Sequence, residues 1–115
     1  MSQHDDGVRL RHMLHAARQA VDFARDRDRV DLDRDLQLSL ALTRLVEIVG
    51  EAAKNVSPDG RAKLPTVPWR AIAGTRDRLV HAYFDVDQDQ LWQIVSTDLP
   101  ALVRVLEQVV DGLPR

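Results

Sequence analysis

The chain has no cysteine, so a disulfide framework, a thiolate metal site and a cysteine nucleophile are all excluded, and nothing in it demands an oxidising compartment. Aromatic residues make up only 4% of it, with five glycines and five prolines. A β-sandwich or barrel would want more turn residues and more aromatic strand positions. Long apolar runs are missing as well. The opening MSQHDDGVRLRHMLHAARQA has no apolar stretch behind a basic flank, so neither a signal peptide nor a membrane span is expected, and the reading is cytoplasmic with no membrane partner. An excess of positive charge is also absent: sixteen basic against eighteen acidic residues give a formal charge of −2. That excludes a generally basic nucleic-acid coat and leaves room for a local basic patch.

What remains is 115 residues, 44% of them hydrophobic, enough for one domain spanning 1–115 with its own core. From Val8 to Ala24, Leu10, Met13, Leu14, Ala17, Val21 and Ala24 recur at three- and four-residue steps, which predicts a first amphipathic helix capped by Asp5 or Asp6. The run RDRDRVDLDRD, Arg25 to Asp35, alternates in charge and reads as a solvated connection or helix extension. A long central helix is expected from about Leu32 to Val56, apolar around most of its circumference and so packed on several neighbours or on a second copy. Gly50 within it costs about 1 kcal/mol relative to alanine, a loss commonly compensated by close approach of another helix. A third helix is expected from Pro68 and Trp69 to about Tyr83, with Gly74 as an irregularity. A last helix, capped by Asp85 or Asp87 and divided near Asp98 by Pro100, ends at Gly112 and Pro114. The sum is an all-α, up-and-down bundle of four to five helices.

Four of the five aromatics (Trp69, Tyr83, Phe84, Trp92) fall in one 24-residue window, together with the polar run RDRLVHAYFDVD. Here Arg76, four further residues, His81, one residue and Tyr83 form the candidate site. An imidazole titrating near neutrality moves protons, and an always-charged guanidinium holds a phosphate and offsets the charge that builds during its transfer. With no metal-ligand cluster beside them, these are the means for metal-independent RNA cleavage with the ribose 2′-OH as nucleophile, and no cofactor is called for. On a straight helix Arg76 and Tyr83 share a stripe, about 20° apart, whereas Arg76 and His81 diverge by about 140° and converge only through distortion or across an interface. Asp77, four before His81, would lie one turn away and orient its ring. By spacing alone, interface packing and ion pairs with Asp77 and Asp85 are the commoner role for an arginine, histidine and tyrosine so placed. Glu47 and Glu51 sit one turn apart, read either as partners of Arg44 and Lys54 or, for Glu47, as a carboxylate facing the site. His12 and His15, with His4, read as surface histidines, and no metal site is expected.

The segments RLVEIVGEAAK (Arg44 to Lys54) and PWRAIAGTRDRLVHAYFDV (Pro68 to Val86), with the order of helices from Val8 to Val110, resemble the HepT family of the HEPN superfamily. Its hallmark is an arginine, four to six residues, a histidine, any residue and a tyrosine. Where many members have asparagine after the motif arginine, this chain has Asp77. The resemblance implies a homodimer whose two motifs face each other across a cleft, and an RNase toxin with Arg76 and His81 catalytic and RNA, not DNA, as substrate. It further implies neutralisation by a minimal nucleotidyltransferase antitoxin of the MntA type, through AMPylation of Tyr83. The alternative is a non-catalytic helical dimer that binds a nucleotidyltransferase, or a nucleotide, through the same cleft.

Overall fold

The computed structural model describes residues 3–82 and 85–110, and for residues 3, 4 and 80–82 the backbone only. Helix α1 (Gln3–Ala24) is followed by the short α2 (Asp31–Arg34) and the long α3 (Leu36–Lys54). Three short helices come next: α4 (Pro58–Ala62), α5 (Trp69–Ala73) and α6 (Thr75–Leu79). A two-stranded antiparallel hairpin, β1 (Val80–Ala82) and β2 (Asp85–Val86), precedes α7 (Gln88–Gln93), a π-helical turn (Ile94–Asp98) and α8 (Leu99–Val110). The architecture is all-α, with the hairpin as its one interruption among the described residues.

The apolar stripes read from the sequence face a single core. Met13, Ala17 and Ala20 of α1 meet Leu42, Val46 and Val49 of α3, and Ile94, Leu99, Leu102 and Leu106 of the last helical segment close the third side. No described helix is long and apolar enough to cross a membrane.

Several boundaries depart from the expected ones for identifiable reasons. The central helix begins at Leu36, not Leu32, because Asp35 adopts an extended conformation and its side chain accepts the Leu38 N–H at 3.1 Å. Asp6 does not cap α1: it is buried and accepts both the backbone N–H (2.8 Å) and the hydroxyl of Ser57, tying the start of α1 to the α3–α4 turn. Gly74 divides the third helix into α5 and α6. Pro100 has no N–H to continue an i→i−4 ladder; just before it the Leu99 N–H bonds the Ile94 carbonyl five residues back, giving the π turn near the expected division.

The connection Arg25–Asp35 is largely exposed, as expected of a solvated link, and carries the short α2 and a set of ion pairs. Arg27 bridges Asp31 (3.5 Å) and Asp35 (2.8 Å), and Arg29 bridges Asp33 (3.0 Å) and Asp89 at the start of α7 (2.7 Å).

Candidate active site

The elements carrying the candidate residues are set in place from below by α3. A Cβ on Gly50 would lie 2.6 Å from Thr75 Oγ1 and 3.0 Å from the Ile72 carbonyl oxygen, so only glycine lets the junction of α5 and α6 approach this closely. The close partner anticipated for Gly50 is therefore this junction. Thr75 and Leu79, one turn apart, are the buried face of α6, and Thr75 Oγ1 donates to the Ile72 carbonyl at 2.9 Å. Upstream, Trp69 locks α5: its indole N–H donates to the Leu64 carbonyl (3.0 Å), and the Arg61 guanidinium lies 5.7 Å from its ring centroid.

With Thr75 and Leu79 turned inward, Arg76 on the flank of α6 and Asp77 on its far side are exposed. Arg78 is half-buried and donates to Gln90 Oε1 at 3.0 Å. The helix ends at Leu79, and Val80–Ala82 run on as an extended strand, with Val80 opposite Val86 and Ala82 opposite Asp85. This overturns the expected helix to Tyr83 and the geometry built on it. His81 does not stand five helical positions from Arg76, and Asp77 is not one turn from His81, because the intervening chain changes from a 1.5 Å to about a 3.3 Å rise per residue. The local residues permit this without dictating it: a β-branched valine followed closely by tyrosine and phenylalanine lowers the preference for helix, and pairing with Asp85 and Val86 decides it. Tyr83 lies outside the described residues, as does the side chain of His81.

Glu47 is half-buried on α3, one turn before Gly50 and so at the edge of the face that carries α6. Among the described residues no ion pair joins Glu47 or Glu51 to Arg44 or Lys54, nor Arg76 to Asp77 or Asp85, contrary to those expected pairings; a pairing of His81 with either aspartate lies outside the described residues. At a single turn's spacing on α3, the Arg44–Glu47 and Glu51–Lys54 pairs would gain only a few tenths of a kcal/mol. His12 and His15 are exposed on α1, and the side chain of His4 is outside the described residues. Beside the site, an apolar pocket of about 240 Å³ opens between α3, α5 and the π turn, lined by Val46, Val67, Ile72, Arg78, Ile94 and Leu102 among others. Sequence reasoning did not anticipate this pocket. It depends on where the π turn sets Ile94 against Ile72, and no periodicity signals that.

A small all-α domain of HEPN-like architecture, with an exposed arginine one helical turn ahead of a hairpin that carries a histidine, is the class the fold and the site define. The ribonuclease HepT-like family matches residues 13–109, and the chain belongs to that family. Among its relatives, a candidate RNase of Methanocaldococcus jannaschii is 35% identical over 109 residues, covering 95% of this chain and all of the relative. A protein of Thermococcus cleftensis named as a probable ribonuclease HepT is 37% identical over 100 residues, 87% of this chain and 91% of its own. A candidate RNase of Caldanaerobacter subterraneus is 33% identical over 102 residues, 89% and 91% of the two chains. No solved structure gives a significant match.

Proposed function

We propose that this protein is a toxin of the HepT type, a metal-independent endoribonuclease in which Arg76 and His81 act together on one phosphodiester. The observation that carries the reading is the change from helix to strand at Leu79, between the two residues, in a chain matched by a ribonuclease family over 13–109. Arg76 stands in solvent, where an RNA backbone reaches it, and its guanidinium offsets the charge growing on the phosphate oxygens. The ribose 2′-oxygen attacks phosphorus and loses its proton to a base, the P–O5′ bond breaks, and the departing O5′ takes a proton from an acid. His81 serves as one of these two proton carriers. The products are a 2′,3′-cyclic phosphate and a free 5′-hydroxyl. Glu47 and Asp77 are supporting groups around this centre.

Two copies complete the site. On α3, Leu36, Leu40 and Glu47 fall within about 40° of one another around the helix, and Leu36 and Leu40 are 70% and 59% exposed. Leu36 and Leu40 are the apolar end of this stripe and Glu47, one turn before Gly50, its other end, so a second molecule laid along it draws two sites toward each other. Silencing is by a minimal nucleotidyltransferase of the MntA type: the Tyr83 oxygen takes AMP from ATP, pyrophosphate leaves and the phenolic proton is released, which adds negative charge two residues from His81 in sequence and opposes an RNA phosphate.

Growth is followed on expressing the protein alone, with a partner nucleotidyltransferase, and as His81→Ala and Tyr83→Phe. Arrest by the wild type, no arrest by a folded His81→Ala, and relief by the partner with mass added in AMP-sized steps except in Tyr83→Phe are the expected results. A folded His81→Ala that still arrests growth would sink the catalytic assignment. A harmless wild type that cuts no RNA would point to the non-catalytic dimer.

A further inference from the structure

Helix α7 begins with three consecutive residues, each tied to a different part of the molecule. Gln88 Nε2 donates to Ser39 Oγ on α3 at 2.9 Å, and the Ser39 hydroxyl is 3.2 Å from Gln88 Oε1. Asp89 Oδ1 accepts from Arg29 Nε in the α1–α2 connection at 2.7 Å. Gln90 Oε1 accepts from Arg78 Nη2 on α6 at 3.0 Å. Immediately before them the Asp87 N–H donates to the Leu79 carbonyl at 2.7 Å, and the Asp87 side chain accepts the Gln90 N–H at 3.0 Å.

Leu79 and Asp87 are the two residues that flank the β1–β2 hairpin, so the Asp87–Leu79 bond closes its base. A hairpin of three and two residues with an irregular register has too few backbone bonds to set its own direction. Its direction comes from its supports. Leu79 is fully buried and fixes one leg, while the first turn of α7 fixes the other. Of the three side-chain ties there, the Arg29–Asp89 pair is exposed, with the Asp89 side chain 85% accessible, and an ion pair in that setting contributes little. The Gln88 tie ends on Ser39, only 4% exposed, and the Gln90 tie ends on half-buried Arg78, two residues beyond Arg76. Directional hydrogen bonds partly shielded from water hold geometry better than an exposed charge pair.

We infer that Gln88 and Gln90 are positioning residues: by gripping Ser39 of α3 and Arg78 of α6 they aim the hairpin, and with it His81, relative to Arg76. The chemistry served rests on the ribonuclease reading; the aiming itself does not. The test compares Gln88→Ala, Gln90→Leu, Gln90→Glu and Asp89→Ala in the full-length protein, by amide hydrogen exchange over residues 80–82 and 85–86 and by RNA cleavage.

Exchange across the hairpin is expected to rise roughly tenfold in Gln88→Ala and Gln90→Leu while exchange in α1 and α3 stays put, since only a local opening is released. Cleavage is expected to lose about tenfold in kcat with KM within twofold, the signature of misplaced reacting groups. Gln90→Glu, which keeps the acceptor for Arg78, and Asp89→Ala should both behave as wild type. Unchanged hairpin exchange in Gln88→Ala and Gln90→Leu overturns the inference, as does an equal loss in Asp89→Ala. Should Gln88→Ala fail to fold, Gln90→Leu against Gln90→Glu decides. A wild type that cleaves no RNA removes the ribonuclease reading and leaves the exchange comparison to judge the positioning.

Discussion

Asp35 performs two tasks with one carboxylate. It caps α3 through the Leu38 N–H and pairs with Arg27 at 2.8 Å. The hydrogen bond from Arg27 is the larger reason its carboxyl lies below the usual range, and the Leu38 N–H is the next; Arg27 is correspondingly raised. A carboxyl whose folded value lies below its unfolded one contributes stability that is complete above the unfolded value and is lost as pH falls through the folded one. Thermal melts taken downward from pH 7 should therefore show wild-type stability declining below about pH 4, near the unperturbed aspartate value. Asp35→Asn keeps a cap acceptor but not the charge. It should melt below wild type at pH 7, and the two curves should converge in acid; parallel curves would remove Asp35 from the account.

Among the elements, the junction of α5 and α6 on α3 is the least tolerant. Gly50→Ala sets a methyl 2.6 Å from a buried threonine oxygen and 3.0 Å from a backbone carbonyl, neither of which is the free end of a flexible side chain. The expected cost is about 1–3 kcal/mol, measured by denaturant unfolding. A fall in RNA cleavage beyond what the unfolded fraction explains should accompany it, because the displaced element bears Arg76. An unchanged midpoint would mean that α6 has room to move. The same junction shows how far pattern reading reaches. Trp69, Ile72, Thr75 and Leu79 keep helical spacing, so a helix here was legible, yet its end was not, because Val80 continues the apolar pattern. Strand pairing with Asp85 and Val86 and the Leu79–Asp87 bond decide that boundary, and both are contacts that spacing within one helix cannot express.

The whole molecule leaves Leu36 and Leu40 in water while Leu38 and Leu42, on the far side of the same helix, are buried. Leu40→Arg places a charge at the centre of that stripe, and light scattering should report half the wild-type mass with the helical circular dichroism retained. RNA cleavage should fall with the mass, since the site is proposed to need both copies. A wild type that is already monomeric would refute the dimer, and a Leu40→Arg protein that remains dimeric would move the interface to another face.

Read by itself, the sequence determined the helical class, the three core-facing stripes and the residue types able to act on a phosphodiester, because apolar periodicity and side-chain chemistry are local properties of the chain. It also marked Gly50 and Pro100 as places where a helix is expected to be closely approached or divided. Tertiary structure decided the rest: that Asp6 serves Ser57 instead of its own helix, that Arg29 reaches Asp89 sixty positions away, and that Gln88 and Gln90 grip α3 and α6. Each of these pairs joins groups distant in sequence or on different elements, and hydrogen bonds of that kind exist only after the core has brought the elements together. The turn from helix to strand between Arg76 and His81 belongs with them, since a hairpin this short holds only where its two ends are anchored.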